Sequence, residues 1–457
     1  MTTPPKKRLF IECSQTFFNG GNGGIQRVVR NLANYGRTLS TDAVQISPIV
    51  WTGMGFCLPL AKVKNKPYLL IRVKRKIQRL FYKTSKHTPG LLKKYIREFL
   101  TAVLTLERRD ALRKLIADVP YLFMSLTAFP AHFLFGKFVK FQPGDIVVMV
   151  DSTWRSDAML DALFKAQCDG NITVGVMLHD LFPLILPDTC EDITAKGYTS
   201  WFEQVVPRAD FFVANSEATR RSLEKYLSDN KDLRPHPYPS GSFRLGAELD
   251  LVRSKTGSSR YLQPIWDAPG RAILCVGTIE PRKNHNYLLD VYDLMRSKDA
   301  DISLVILGKA GWKNKDVLDR IRTHCDFGTR LLHFENANDR DLAEAIERAD
   351  CLVCPSIAEG FGLPVVEGLM HGLKVFASDI KVFREIGGDH CDYFDLNDPS
   401  SLAELLANWF DVLRSGKLDQ DTQSFSWPDW KNSTSEFVGL TLKLAAQSQK
   451  AGFDLQR

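Results

Sequence analysis

Glu359 and Glu367, in the stretch Ala358-Glu-Gly-Phe-Gly-Leu-Pro-Val-Val-Glu-Gly-Leu, stand on either side of a glycine-rich turn with seven residues between them. Pro364 has a fixed φ and no N–H to leave unpaired, so it suits the first turn of a helix that carries Glu367. Gly360 and Gly362 let the chain ahead of that helix come close to a ligand, and the helix start offers unpaired N–H groups to a phosphate. One carboxylate before the turn and one inside the helix can then bracket a hydroxyl-rich molecule. In Val276-Gly-Thr-Ile-Glu-Pro-Arg-Lys-Asn-His, two cations, Arg282 and Lys283, precede a helix expected to begin near Asn284. Cations beside a helix N-terminus are unfavourable unless an anion shares the site, and a bound diphosphate is the economical explanation. His179 and Asp180 end the apolar run Val176-Met-Leu, where the imidazole either meets a ligand or pairs with Asp180, which would set its tautomer.

These residues need elements to hold them. Apolar strands alternate with helical patterns along the chain, which implies parallel sheets covered on both faces. The first half opens with a strand from Arg8 to Cys13, the turn Phe18-Asn-Gly-Gly-Asn-Gly-Gly-Ile-Gln-Arg and a helix from about Ile25 to Leu39. A glycine-rich turn between a first strand and a first helix is where a Rossmann-like domain meets phosphate or substrate, which marks Gly23, Gly24 and Arg27. Further strands are expected at Asp145–Asp151, Ile172–Leu178, Asp210–Asn215 and near Ser242–Gly246. The plan restarts at Arg271, with strands at Ile302–Gly308, Arg330–Glu335, Asp350–Pro355 and Lys374–Ser378. The stretch Tyr261-Leu-Gln-Pro-Ile-Trp-Asp-Ala-Pro-Gly, rich in proline and glycine, is the best boundary. Two such domains face each other with both sets of strand C-termini on one cleft.

The glutamate loop, the Arg282-Lys283 turn and the His179-Asp180 strand end together resemble the retaining GT-B glycosyltransferases of family 4, also called glycosyl transferases group 1. The resemblance implies an α/β chain of two Rossmann-like domains: 1–265 on the acceptor side with a basic helical insertion over about 62–116, 266–425 for the nucleotide-sugar donor, and a tail, 426–457, crossing back to the first. It implies that Lys283 and Arg282 stabilise the departing diphosphate, together with the backbone of Gly360, Phe361, Gly362 and Leu363. Glu359 would hold hydroxyls of the transferred sugar, Glu367 the ribose diol, and His179 the donor sugar, with Asp180 beside it. Gly24 would bring backbone to the diphosphate or acceptor, and Thr278 and Gly308 fall at donor-side strand ends. The family often has an Arg directly after the glycine where this chain has Thr278, so its paired-cation pattern is altered. The spelling is most similar to bacterial mannosyltransferases that use GDP-mannose on saccharide or polyprenyl-linked acceptors of surface polysaccharides such as O-antigen, capsule or exopolysaccharide. Rhamnosyl and glucosyl transfer stay open, as do a GT-B epimerase and a non-catalytic scaffold.

Composition bounds the rest. At 457 residues, 44% hydrophobic and 25% charged, the chain can bury more than one core. Nine cysteines without a framework point to reduced thiols and the cytoplasm, and Cys351 and Cys354, inside an apolar strand, read as packing rather than zinc or redox chemistry. No signal-peptide h-region follows the N-terminus, and the uncharged stretch Val119–Gly136 carries two prolines and polar residues, so it reads as core or interfacial. The literal DxD at Asp299 and Asp301 falls in a turn at the sheet end away from the cleft, so neither a metal nor another cofactor is expected. From Lys62 to Lys114 there are seventeen Lys and Arg against three acidic residues, whereas the whole chain nets +7, so the positive charge is regional. Leu69, Val73, Ile77 and Leu80 form an apolar stripe there: either an amphipathic helix on an anionic membrane surface, such as the inner face of the cytoplasmic membrane, or a helix covering the first domain. Sparse aromatics and the lack of a nucleic-acid motif argue against RNA.

Overall fold

The computed structural model describes residues 6–21, 23–65, 136–154, 156–170, 172–234, 238–247, 262–416 and 425–455. The basic stripe at Leu69–Leu80, the rest of the run to Lys114 and the stretch Val119–Phe135 lie outside them.

Short β-branched and aromatic runs become buried strands. In the first half these are β1 (Lys7–Glu12), β2 (Val44–Trp51), β3 (Phe56–Leu58), β4 (Lys137–Phe138), β5 (Ile146–Met149), β6 (Thr173–Leu178), β7 (Phe211–Ala214) and β8 (Ser240–Ser242). They lie in the order β4-β3-β2-β1-β5-β6-β7-β8, parallel from β2 to β8, with β3 and β4 added antiparallel at one end. The second half supplies β9 (Arg271–Val276), β10 (Ile302–Leu307), β11 (Leu331–Phe334), β12 (Cys351–Cys354), β13 (Val375–Ser378) and β14 (Cys391–Phe394). Their order is β11-β10-β9-β12-β13-β14, all parallel. Every residue of β6, β10 and β12 is buried, as strands sandwiched between helices must be. Each such Val, Leu or Phe contributes roughly 1.5–3 kcal/mol through burial.

Both sheets reverse direction next to their first strand, between β1 and β5 and between β9 and β12. In a doubly wound sheet the loops leaving the C-terminal ends of the strands at such a point splay apart and leave a crevice. The first helix after β1 is a short one, Ser14–Asn19, which the sequence pattern does not show, and the glycine-rich turn leads into Gly24–Gly36, whose continuation Arg37–Leu39 tightens into a 3-10 turn. The chain between the two sheets holds a short helix, Gln263–Asp267, inside the proline- and glycine-rich stretch. The last helix, Trp430–Leu455, lies on the first sheet's side: Phe437 packs against Phe243 at 5.2 Å, Ser433 donates to the Arg244 carbonyl at 2.7 Å, and Gln449 reaches Thr173 at 3.0 Å. All nine cysteines are free, and burial raises the thiols of Cys351 and Cys354 well above their ordinary value.

Candidate active site

Loops leaving β1, β5 and β6 face loops leaving β9, β10 and β12 across a cleft of about 920 Å³. From the first domain it is lined by Gly23, Gly24, Arg27, His179 and Asp180. The second domain contributes Thr278, Arg282, Lys283, Gly308, Glu359, Gly360, Phe361, Gly362, Leu363 and Glu367, so every residue singled out for chemistry meets in one place.

The strand-end loops after β9 and β12 are tied by charge. The Lys283 ammonium donates to Glu359 Oε1, Arg282 Nη1 donates to Glu359 Oε2 at 2.7 Å, and the Ser356 hydroxyl donates to the same carboxylate at 2.8 Å. Arg282 also reaches Glu280 at 2.6 Å and the Ala358 carbonyl at 2.7 Å, and its guanidinium lies 4.9 Å from the centre of the Phe182 ring. Burial alone would push the Glu359 carboxyl up, but the two cations bring it down to about 2. The external anion expected from the sequence beside Arg282 and Lys283 is not required by the fold. The anion beside Arg282 and Lys283 is supplied by Glu359 and Glu280, so the cations do not by themselves demand an external diphosphate. Arg282 and Lys283 sit in a 3-10 turn, and the helix His285–Ser297 starts after Asn284, whose left-handed backbone (φ +54°) separates the two.

Glu367, in the helix Leu363–Met370, is 1% exposed and pairs across the cleft with Arg27 at 2.5 Å. The loop before that helix is glycine by necessity at two points. A Cβ on Gly360 would sit 2.0 Å from the His179 carbonyl oxygen, while Gly362 has φ +106° and a Cβ there would strike Phe383. The Gly360 carbonyl accepts from the hydroxyls of Ser216 at 2.7 Å and Thr219 at 3.1 Å, at the start of the helix Glu217–Asp229. Glu385 of the second domain caps the same helix, accepting from the N–H groups of Glu217 and Ala218 at 2.7 and 2.8 Å. A carboxylate at a helix N-terminus is favourable on both hydrogen-bonding and dipole grounds. Phe361 packs edge-on against Trp427 at 6.0 Å, which links the loop to the returning tail.

His179 Nε2 lies 2.8 Å from the Val150 carbonyl. A carbonyl only accepts, so Nε2 carries the hydrogen and Nδ1 keeps its lone pair. Burial lowers the ring's pKa to about 4, so it is neutral at pH 7. The tautomer is therefore set by Val150 and not by Asp180, whose carboxylate accepts from the Phe182 N–H at 3.3 Å. Burial raises Asp180, and Arg282 opposes this. Gly308 closes β10 against the Gly277 carbonyl, and Thr278 follows on the neighbouring strand end.

Several cleft residues escape the sequence reading: Gln15 and Asn19 after β1, Ser152 and Trp154 after β5, Asn215 after β7 and Glu280 after β9. Asn215 stands just past β7 as His179 stands just past β6, a placement legible in the sequence, and it donates to the His179 carbonyl at 2.9 Å. Below the cleft, Glu12 and Asp151 end β1 and the chain after β5. Burial, with Asp151 adding to it, raises the Glu12 carboxyl to about 8. The DxD residues do not line the cleft: Asp299 takes a left-handed turn conformation and Asp301 accepts from Arg330 at 2.7 Å. Among the described residues, the one grouping with metal-ligand spacing is His324, Cys325 and Asp326, also outside the cleft, where Asp326 already accepts from Tyr292 at 2.8 Å and Arg296 at 3.0 Å.

Residues 264–414 match the family described as Glycosyl transferases group 1. The serotype-specific mannosyltransferase WbdA of Escherichia coli is 29% identical over 330 residues, which is 70% of this chain and 40% of that protein. The O-antigen chain mannosyltransferase B of Escherichia coli is 32% identical over 171 residues, 35% of this chain and 44% of that one. This chain thus spans less than half the length of either relative. The solved sucrose-phosphate synthase of Thermosynechococcus elongatus, at 14% identity, aligns over 98% of this chain and 99% of its own with a TM-score of 0.54, a likeness of fold.

Proposed function

We propose that this chain, whose residues 264–414 belong to the glycosyl transferases group 1 and whose two domains make a GT-B fold, transfers a hexose from a nucleoside-diphosphate sugar to a saccharide acceptor. The observation that carries the reading is the meeting of Lys283, Arg282, Glu359 and Glu367 at the switch point of the second sheet, opposite a neutral His179 from the first. The donor we favour is GDP-mannose, because the relatives bear mannosyltransferase names, and the product a surface polysaccharide such as an O-antigen, made on a saccharide or polyprenyl-linked acceptor in the cytoplasm.

In this reading the donor diphosphate takes the place of Glu359 at Lys283, and the carboxylate so released accepts hydroxyls of the transferred sugar. The ribose diol reaches Glu367 only after Arg27 withdraws, since the carboxylate is 1% exposed beneath it. The C1–O bond to the diphosphate breaks as the acceptor oxygen bonds C1 on the same face, and the acceptor's proton passes to the leaving phosphate oxygen. Configuration is retained and no protein base is assigned. Once Glu359 has yielded its place, the Lys283 and Arg282 charges and the N–H groups of the glycine-rich loop stabilise the growing charge on the phosphates. No resident metal is assigned a step. His179, with Nδ1 as acceptor, receives a hydrogen bond from a sugar hydroxyl.

A thermal-shift panel of nucleoside-diphosphate sugars tests the reading: GDP-mannose should raise the melting temperature. A flat response to the whole panel would leave a non-catalytic scaffold, and interconversion of the sugar nucleotide without acceptor would indicate an epimerase. No helix among the described residues is long and apolar enough to cross a membrane. Membrane contact through the basic run is a proposal separate from the chemistry.

A further inference from the structure

Trp154 lines the first-domain wall of the cleft and is half-buried, whereas its aromatic neighbours Tyr198 and Trp201 are 4% and 5% exposed. Its ring stands at 61° to Tyr198, 5.4 Å away, and at 67° to Trp201, 6.0 Å away. Those two rings hold it in place without covering it. The cluster is anchored to the reaction centre, because the Tyr198 hydroxyl donates to the Asp180 carbonyl at 2.8 Å, one residue from His179. The indole N–H of Trp154 is buried with no hydrogen-bond partner among the described residues, a donor whose desolvation is not repaid. Ser152 shares this wall, and so do Gln15 and Asn19, which bond to each other at 2.7 Å. A fixed aromatic surface beside amides and a hydroxyl suits a ligand with an apolar C–H face and a rim of hydroxyls, that is, a pyranose.

Resting on the glycosyltransferase reading above, we infer that Trp154 is the platform on which the acceptor's terminal hexose stacks, with Ser152 and the Gln15–Asn19 pair meeting its hydroxyls. The donor's charged groups are met on the opposite, second-domain wall, so the acceptor sugar occupies the first-domain side beside His179.

The test uses the full chain, GDP-mannose as donor and methyl α-D-mannopyranoside as acceptor probe. Trp154→Ala should raise the acceptor KM roughly tenfold and Trp154→Phe about twofold to threefold, in line with the worth of an aromatic contact. The dissociation constant of GDP should stay within twofold. An acceptor KM unchanged in Trp154→Ala overturns the inference, and so does an equal loss of GDP affinity, which would make the ring a nucleobase platform or mere packing. If Trp154→Ala does not fold, Trp154→Leu keeps apolar bulk without a π face, and a wild-type acceptor KM there overturns it equally. Saturation-transfer NMR of methyl α-D-mannopyranoside with GDP present reads the subsite without turnover: the wild-type signal should fall several-fold in Trp154→Ala, and an equal signal refutes the platform. Absence of transfer from any nucleotide sugar by wild type, with the NMR signal intact, counts against the glycosyltransferase reading and not against the sugar platform.

Discussion

Arg27 and Glu367 form a buried ion pair between the two domains, with side chains 8% and 1% exposed and 2.5 Å between Nη1 and Oε1. Two such charges have already lost their water, so removing one strands the other. Breaking a buried pair in this way costs about 3–5 kcal/mol, while replacing both partners by uncharged groups is far milder. For a cooperative transition, unfolding entropy of roughly 2.1 cal/mol/K per residue gives a chain of 457 residues about 1 kcal/mol per degree. Arg27→Gln should therefore lower the melting temperature by roughly 3–5 °C, and by more if the first domain melts separately. Glu367→Gln should do the same, and the double variant Arg27→Gln/Glu367→Gln should be little worse than either single one. Calorimetry at pH 7 with low and high salt is the assay, and the deficit should barely respond to salt because a buried pair is poorly screened. Additive losses in the double variant, or an unchanged midpoint in Arg27→Gln, would refute the argument that this pair holds the domains together.

Other consequences can be checked separately. Lys283→Ala should cut turnover by roughly 10² to 10³, the loss expected when one preorganised donor to a developing anion is removed. An unaltered kcat in a folded variant would remove Lys283 from the diphosphate site. Glu12 has a folded-state pKa raised from 4.5 to about 8, so the folded state holds the extra proton between those values and stability falls as pH rises through that window. The slope from this one group is at most about 1.4 kcal/mol per pH unit, and Glu12→Gln should remove it above pH 6, below which Asp151, itself raised by burial to about 6, adds a slope of the same sign. Parallel melting curves for wild type and Glu12→Gln from pH 5 to 9 would contradict the trapped proton. If the basic run docks on membranes, binding to anionic vesicles at low salt should be lost on changing Lys74, Arg75, Lys76 and Arg79 together to Gln, each charge being worth about 1 kcal/mol. Wild type that ignores such vesicles leaves the run as a cover for the first domain.

The runs at β6, β10 and β12 were legible because strands buried on both faces are nearly all apolar, and the glycine-rich loops stood out against them. β2 was hidden by Pro48. It is tolerated there because β3 pairs only with Val50 and Trp51, so among the described residues nothing on that edge of β2 asks for an N–H at residue 48. β14, Cys391-Asp-Tyr-Phe, is half polar and only four residues long, too short for any period to show. The site residues could be named because their types sit at strand ends, but their partners could not. Arg27 and Glu367, or Gly360 and Ser216, are brought together by the docking of two domains, and local spacing carries no trace of that. The same blindness made an external anion look necessary beside Lys283, when Glu359 reaches it from the next loop. Trp154 was missed because an isolated tryptophan after a strand is indistinguishable from core until its exposure is known.

The central claim is that Lys283, Glu359 and Glu367 serve hexose transfer with retention at a cleft between two Rossmann-like domains. NMR of the product formed from GDP-α-mannose and a mannoside acceptor, in the presence of EDTA, tests it most directly. An α-linked product made at an undiminished rate is what the account predicts. A β-linked product, or activity lost to EDTA and restored by Mn²⁺, would contradict it.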